Sequence, residues 1–497
     1  MAVVLGIDGG TESLRASVFD LDGRMLGFAA EPYATAFPEP GRAEQDPAAW
    51  WRSLTIAVPA ALAKAGVAAG DVIALCADTT CCSVVALGAD FAPLRPALIW
   101  MDVRAAEEAA AVAATGDPAL RVNGAGRSAV SAEWMLPKAL WIARHEPAVW
   151  ERAVHVGEYQ DYLNWRLTGR FVGSLNNASI RWHWQTGHGG APTSLAAAIG
   201  LADLPERWPR EILAPGAPVG GLTDAAAAAI GLRPGTLVVQ GGADAFIGMI
   251  GLGVAEPGEM ALITGSSHLQ IGVTSAPVHK PGVWGTYMDA VYPGKAIIEG
   301  GQTSTGSILN WFRSRFTSEA GYDALNAAAA LLPPGAEGLT VLDHFQGNRT
   351  PYTDPLSRGA IVGLTLKHGP EHVYRAMMEA IAFGTRLVVE SFGEAFEAKR
   401  VVAAGGATRS QLMMKIHADV LGRPLELTEV ADAPALGSAI LAAVGAGRFG
   451  SIEEGAAAMV RVTRQIEPDL AEHDRYADVY DRYLALYPAL KSLRENA

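Results

Sequence analysis

Residues 3–15, Val3-Val4-Leu5-Gly6-Ile7-Asp8-Gly9-Gly10-Thr11-Glu12-Ser13-Leu14-Arg15, decide how this chain is to be read. Residues 3–7 are an apolar run suited to a buried strand, Gly9-Gly10 makes a turn, and residues 14–19 give a second strand. Asp22-Gly23 then closes a further hairpin into Met25-Leu26-Gly27. The pattern returns in the second half, where residues 259–262 are strand-like, Thr264-Gly265-Ser266-Ser267 turns, and residues 269–273 form the next strand. A strand–turn–strand with glycine and hydroxyl residues at its tip can aim N–H and O–H groups at an anion. Either turn alone reads more simply as an ordinary tight hairpin. Two of them in corresponding places point to two similar domains with a phosphate site between them.

Outward from these hairpins the signals are mixed in type. Residues 47–65 read as a helix, with Asp46 as N-cap and Pro47 at the first helical position. Residues 71–77 and 84–87 read as strands, so hairpin strands alternate with crossover helices in an α/β protein. Residues 370–390 carry apolar and small residues at helical spacing. The strand 401–404 runs into Gly405-Gly406-Ala407 before a helix at 411–421, which lets a planar ring or a phosphate approach the backbone. Residues 469–493 read as a charged, solvated helix. Gly445-Ala446-Gly447-Arg448-Phe449-Gly450 has dinucleotide-fingerprint spacing but follows a helical pattern, so it reads as a helix-ending glycine cluster.

Composition bounds the rest. The 497 residues carry 39 Lys+Arg against 52 Asp+Glu, a net charge of −13. Half are hydrophobic and 18% are charged, against about 25% charged in an average globular protein, which excludes disordered and fibrous classes. The length predicts roughly two to four domains and lets about three quarters of the unfolded surface be buried without disulfide or metal. The acidic balance and the lack of a Lys/Arg block argue against nucleic acid or an anionic membrane as partner. Any phosphate must therefore be held by local backbone geometry. The three cysteines, Cys76, Cys81 and Cys82, fit no zinc spacing and are expected as reduced thiols. The N-terminus has no basic segment and meets Asp8 early, unlike a signal peptide. The most apolar tract, 433–447, is broken by Pro434, Gly437 and Ser438 and is too short for a membrane span, so the expectation is a cytoplasmic protein. No Walker-type G-x-x-x-x-G-K-[ST], protein-kinase H-R-D or D-F-G, or H-E-x-x-H motif occurs.

Five segments, in order, resemble the FGGY carbohydrate kinases. Asp8-Gly9-Gly10-Thr11-Glu12-Ser13-Leu14-Arg15 is similar to that family's phosphate hairpin. Lys138-Ala139-Leu140-Trp141-Ile142 with Arg144-His145-Glu146-Pro147 resembles its first signature, though Ala139 is smaller than the pattern prefers. The second signature is matched from Gly359-Ala360-Ile361-Val362-Gly363-Leu364 to His372-Val373-Tyr374-Arg375-Ala376-Met377-Met378-Glu379. Gln240-Gly241-Gly242-Ala243-Asp244-Ala245 matches the turn with the catalytic carboxylate, and Gly405-Gly406-Ala407 sits where the family cradles adenosine. The resemblance covers essentially the whole chain. It implies an α/β fold of two duplicated actin-like (ribonuclease H-like) ATPase domains with an active-site cleft between them. The first would span 1–245, with the sugar site and first phosphate hairpin, and the second 246–497, with the nucleotide.

The implied reaction is phosphoryl transfer from ATP to a terminal hydroxyl of a ketose, which needs an in-line hydroxyl, a carboxylate for its proton, Mg²⁺ and N–H donors. The resemblance makes Asp244 the general base; on its own, an Asp in a glycine-rich turn past strand 236–240 is more often a helix N-cap. It makes Asp8 the residue that orients Mg²⁺-bound waters, where the residue alone reads as a turn or cap. Gly10, Thr11, Ser13 and Arg15 would hold the γ-phosphate region, Thr264, Gly265, Ser266 and Gly306 the second clamp, and Gly405, Gly406 and Ala407 the adenosine. Asp78-Thr79-Thr80-Cys81-Cys82, Trp100-Met101-Asp102-Val103-Arg104, Glu299-Gly300-Gly301-Gln302 and Gly347-Asn348-Arg349-Thr350-Pro351 look most like the ribulokinase-type pentulose kinases. Val103, where those relatives often have His, and the Cys81-Cys82 pair depart from them. The Met-His pair of xylulokinases and the Arg-Glu pair of glycerol kinases are both missing here. The sugar site is thus expected from Thr80, Cys81, Cys82, Asp102, Arg181, Asp244 and Glu299. Trp100, Trp182 and Trp184 read as core packing or an aromatic wall. The family also implies hinge closure and a homodimer. The alternatives are a kinase of xylulose, a tetritol or another polyol or hexulose, and, in a different class, an actin-fold ATPase acting as chaperone or scaffold. The chaperone lacks spare length here for a peptide-binding domain.

Overall fold

The computed structural model describes residues 2–126, 130–317 and 321–495. Two large sheets carry the architecture. The first has six strands in the order Pro218–Gly221, Leu237–Val239, Val72–Thr79, Val3–Gly9, Ser13–Asp20 and Met25–Pro32. The second has seven, in the order Gly285–Met288, Ala296–Gln302, His268–Thr274, Glu259–Thr264, Arg400–Gly405, Leu425–Thr428 and Val462–Ile466. In each, a hairpin lies beside a parallel strand. Val3–Gly9 pairs antiparallel with Ser13–Asp20 and parallel with Val72–Thr79. Glu259–Thr264 pairs antiparallel with His268–Thr274 and parallel with Arg400–Gly405. The same device is used twice, as expected of a duplicated α/β fold.

Every residue of Val3–Gly9 is buried, because helices cover both faces of its sheet. A strand so placed reads as a continuous apolar run rather than an alternation. One face packs on the helix Pro47–Ala65, whose Asp46 carboxylate accepts from the Ala48 N–H as the N-cap. The other packs on Ala433–Gly445, a helix from the far end of the chain. This is the apolar tract that looked nearest to a membrane segment. It is buried between the two halves, and among the described residues no helix is long and apolar enough to cross a membrane. It ends at Gly445, with Gly447 at φ 70°, so the glycine cluster does terminate a helix.

Ala433–Gly445 crosses the helix Asp244–Gly251 at backbone contact. A Cβ on Gly251 would fall 2.0 Å from the Ala433 carbonyl oxygen, and one on Gly437 would fall 2.0 Å from that of Ile247. A Cβ on Gly6, in the first strand, would meet the Ala435 carbonyl oxygen at the same 2.0 Å. Residues from both halves, among them Val4, Ile247, Val402, Leu436 and Ile440, pack in one apolar core around this crossing.

The C-terminal helix, Leu470–Glu495, corrects the expectation of an all-round solvated helix. Tyr476, Val479, Tyr480 and Tyr483 are all at most 5% exposed, and the three tyrosine rings surround Phe383 of the helix Pro370–Phe392. Their hydroxyls are paired inside: Tyr483 donates to Asp343 at 2.7 Å and Tyr480 to Glu390 at 2.6 Å. The charged residues on the other face masked this tyrosine stripe.

Gly437→Val is expected to force the crossing helices apart, at a cost of about 1–3 kcal/mol. Differential scanning calorimetry should show a lower melting temperature; an unchanged melt would mean that the crossing tolerates a side chain.

Candidate active site

The end of the first strand carries Asp8, which is fully buried. Strand register places Arg15 opposite it, and the Arg15 Nη2 lies 2.5 Å from the Asp8 Oδ2. The same guanidinium reaches across to Asp432 Oδ2 at 3.3 Å, where Asp432 caps the Ala433–Gly445 helix. Asp244 is the first residue of its helix, not the N-cap, which is Ala243. Its Oδ1 accepts from the Ala245 N–H at 2.7 Å. The turn before it leaves no room for side chains: a Cβ on Gly241 would sit 1.9 Å from the Ala77 carbonyl oxygen. Asn176 accepts the Ala243 N–H at 2.9 Å and fixes the turn from the other side.

Two backbone bonds join this turn to the neighbouring segments. Thr79 N–H donates to the Gly242 carbonyl at 3.0 Å, and Thr80 N–H donates to the Gly9 carbonyl at 2.9 Å. The Asp8–Arg15 hairpin, the Asp244 turn and the 80–82 turn are thus one connected unit.

Electrostatics sharpen the cluster. Burial pushes Asp8 well above the usual carboxylate range, Arg15 opposes this, and Asp432 and Asp244 add to it. Asp78, fully buried on the adjacent parallel strand, is raised by burial and by Asp8. Its Oδ2 accepts from Ser438 at 2.8 Å while its Oδ1 has no partner. Asp244 is raised by burial, offset by the Ala245 N–H, Arg15 and Arg181. A carboxylate on one helix therefore feels an arginine from the hairpin and a second arginine from a different element.

That second arginine ends the helix Leu175–Arg181. Its Nη2 and Nη1 lie 2.8 and 3.0 Å from the two carboxylate oxygens of Glu299, on the strand Ala296–Gln302 of the other half. Tyr287 donates to the same Glu299 at 2.6 Å and accepts from Arg181 at 3.1 Å. Burial works to raise Glu299, but Arg181 and Tyr287 hold it below the usual range. The sequence suggested both charged residues, yet neither their mutual pairing nor Tyr287.

The other expected sugar residues are placed unequally. Cys81 is half-buried, whereas Cys82 is buried with φ 61° and its Sγ lies 3.8 Å from that of Cys81. Thr80 is buried and its hydroxyl lies 3.0 Å from that of Ser83. Asp102 is not presented to a ligand: fully buried, its carboxylate is spent on Arg104 at 2.7 Å and on the Ala43 N–H at 2.7 Å. Trp100 is 40% exposed and donates to the Thr11 hydroxyl at 2.9 Å, tying that segment to the phosphate hairpin. Trp182 is fully buried beside Trp208 and so packs the core, and half-buried Trp184 packs against Gly190.

On the other side of the cleft, Gly265, Ser266, Gly306, Gly406 and Ala407 line a cavity of about 660 Å³, a size typical of small-molecule sites. Thr264 and Gly405 do not line it but directly precede the lining residues Gly265 and Gly406. Thr264 Oγ1 donates to the Ala404 carbonyl at 2.7 Å and accepts the Ala407 N–H at 3.1 Å. Gly405 has φ 94°, and a Cβ there would lie 1.9 Å from the Thr264 carbonyl oxygen, whereas Gly406 faces open space. Asn310, Tyr322, Asn326 and Ser410 complete the wall; no short motif marked these residues.

For a metal, Asp8 is ion-paired with Arg15 and lies beside Asp432, and among the described residues its carboxylate oxygens have no further partner. Among the described residues no three His, Cys, Asp or Glu side chains are grouped to hold a metal by themselves. Mg²⁺ is typically held by one or two carboxylates together with phosphates and water, and Asp8 could serve as one such carboxylate.

Glu299→Ala would strand the Arg181 charge in a buried site, and removing one partner of such a pair costs about 3–5 kcal/mol. Thermal melts should show this loss, and Arg181→Met together with Glu299→Ala should recover part of it; an unchanged single variant would show that the pair is not buried in solution.

Comparison with known proteins agrees with this layout. The N-terminal domain model of the FGGY family of carbohydrate kinases matches residues 3–251, and the C-terminal domain model matches 260–446. The chain is 32% identical to a ribulokinase of Geobacillus thermodenitrificans over 97% of its own length and 94% of the relative's. It is 33% identical to an FGGY carbohydrate kinase domain-containing protein of Danio rerio, over 97% of each. A crystal structure of xylulose kinase from Rhodospirillum rubrum superposes with a TM-score of 0.89 at 31% identity, over 99% of each chain. The matched fold is that of a two-domain kinase, which removes the chaperone or scaffold alternative. The chain belongs to the FGGY family of carbohydrate kinases and is an ATP-dependent sugar kinase.

Proposed function

We propose that this kinase transfers the γ-phosphoryl group of ATP to a terminal hydroxyl of a pentulose, ribulose foremost, with Asp244 as general base. The observation that carries the reading is the buried carboxylate of Asp244 at the start of its helix, which feels the charges of both Arg15 of the phosphate hairpin and Arg181 of the Arg181–Glu299 pair. Burial has raised the pKa of that carboxylate towards the task of a general base. Arg181 enters the site with its charge already neutralised by Glu299, which suits a neutral polyol recognised by directional hydrogen bonds rather than by net charge. Cys81, with Thr80 behind it, would border the same sugar. On this reading the domains divide at 245/246, and closure of the cleft would exclude water from the transfer.

In the cradle between the hairpins, Gly10, Thr11, Ser13 and Arg15 would meet the terminal phosphates from one side. Thr264, Gly265, Ser266 and Gly306 would do so from the other, while Gly405, Gly406 and Ala407 support the adenosine. Asp8 would hold Mg²⁺ through water, and the bound ion would neutralise charge on the phosphates. The ribulokinase relative favours ribulose; the crystal structure titled xylulose kinase favours xylulose as the second reading. The family resemblance further implies a homodimer, which light scattering on purified protein would test.

The decisive assay follows ADP release with ATP·Mg²⁺ over D- and L-ribulose, D- and L-xylulose, ribitol, erythritol, glycerol and D-fructose. Preference for a ribulose is the expected outcome; preference for a xylulose would overturn the choice of ribulose, and preference for a member that is not a pentulose would overturn the pentulose choice, either one keeping the kinase. Asp244→Asn should lower sugar-dependent turnover by several orders of magnitude with ATP affinity nearly unchanged; retained turnover would move the base elsewhere. Because the base must be ionised and burial raises Asp244 above its ordinary 3.8, kcat/KM for the sugar should fall on the acid side at a pH above that value. A profile flat down to pH 4 would contradict this.

A further inference from the structure

We infer that Lys138 and Glu158 are positioning residues of the sugar site, acting together on the peptide groups of Cys82. The inference rests on the proposed role of the 80–82 turn and of Arg181. Lys138 lies in the helix Met135–His145 and is completely buried. Its ammonium donates to three carbonyls: Cys82 at 2.7 Å, Ile99 at 2.7 Å and Leu98 at 3.3 Å. Glu158, also fully buried, accepts the Cys82 N–H at 2.9 Å through Oε2. The same carboxylate accepts from Asn177 Nδ2 at 3.1 Å and from Trp182 Nε1 at 2.7 Å. One residue is therefore gripped by the Lys138 amino group at its carbonyl and by the Glu158 carboxyl group, which burial raises to about 7, at its N–H.

Two features make this more than core packing. First, Cys82 has φ 61°, a region that residues other than glycine rarely adopt and that surrounding structure must enforce. Second, burying two ionisable groups costs stability that apolar side chains of similar volume would not, so their gain must be sought in geometry. Glu158 binds the turn to both ends of the helix that carries Arg181, through Asn177 and Trp182. Lys138 binds it to Leu98 and Ile99, beside Trp100, which reaches Thr11 of the phosphate hairpin. With the bonds of Thr79 to Gly242 and of Thr80 to Gly9, the turn is held on every side. The clamp sets the distance between Cys81 and Arg181, the two groups that would border the sugar.

The test uses full-length Glu158→Gln and Lys138→Met, with melting temperature, both KM values and kcat measured. Glutamine offers one acceptor oxygen to three donors, and methionine offers no donor at all. The sugar KM should rise at least tenfold while the ATP KM stays within about twofold. A role in folding alone would instead lower the melt and the active fraction with both KM values unchanged, and that result overturns the inference. Should either variant fail to fold, Trp182→Phe removes a single donor to Glu158 and should still raise the sugar KM several-fold; no change would overturn it. Amide hydrogen exchange across residues 80–83 separates this failure from failure of the sugar reading. If the wild type phosphorylates no sugar, the functional reading falls. Exchange at least tenfold faster in Glu158→Gln would then still support the clamp on the turn, and unchanged exchange would overturn that too.

Discussion

Backbone contact between the helices Asp244–Gly251 and Ala433–Gly445 is the constraint on which the site depends. At Gly6, Gly251 and Gly437 even a methyl group would fall 2.0 Å from a carbonyl oxygen, so neither helix can move outward without opening the core. Each helix begins at the cleft, one with Asp244 and the other with Asp432 at its cap. Their close crossing therefore carries two carboxylates from distant parts of the chain to Asp8 and Arg15. The apolar, glycine-interrupted composition of residues 433–447 follows from this packing, since a helix buried on nearly all sides has no polar face.

Concentrating carboxylates in a chain of net charge −13 that must bind a polyphosphate looks self-defeating. The structure resolves it locally. Arg15 is shared between Asp8 and Asp432, and Arg181 is matched to Glu299, so part of the fixed charge is neutralised before any ligand arrives. What remains directed at the cleft is chiefly dipolar: turns with glycine at their tips, hydroxyls and helix starts. The same holds behind the 80–82 turn, where Lys138 meets carbonyls and Glu158 meets N–H donors rather than each other.

Much of the fold was legible because its central strands are short, continuous apolar runs that stop at glycine-rich turns. The helix at 47–65, with Asp46 and Pro47 at its start, was read with its observed limits because capping is a local interaction. The C-terminal helix was misread because its charges outnumber the tyrosines at 476, 480 and 483 that face the core. Asp102 was drawn into the sugar site by its place in a motif; Arg104, two residues on, claims its carboxylate instead. Tyr287, Asn310 and Asn326 lay outside any recognisable pattern, since their neighbours in space are far away in sequence.

By itself, the sequence determined the elements whose causes are local: strands, caps, turns, and the glycines that leave room at their tips. It also carried the ordered motifs of a two-domain sugar kinase. Only tertiary structure decided which groups meet. The pairing of Arg181 with Glu299 across 118 positions, the double grip on Cys82 and the crossing of the two helices arise from packing between remote segments. Such contacts depend on three-dimensional closeness, and no spacing along the chain encodes them.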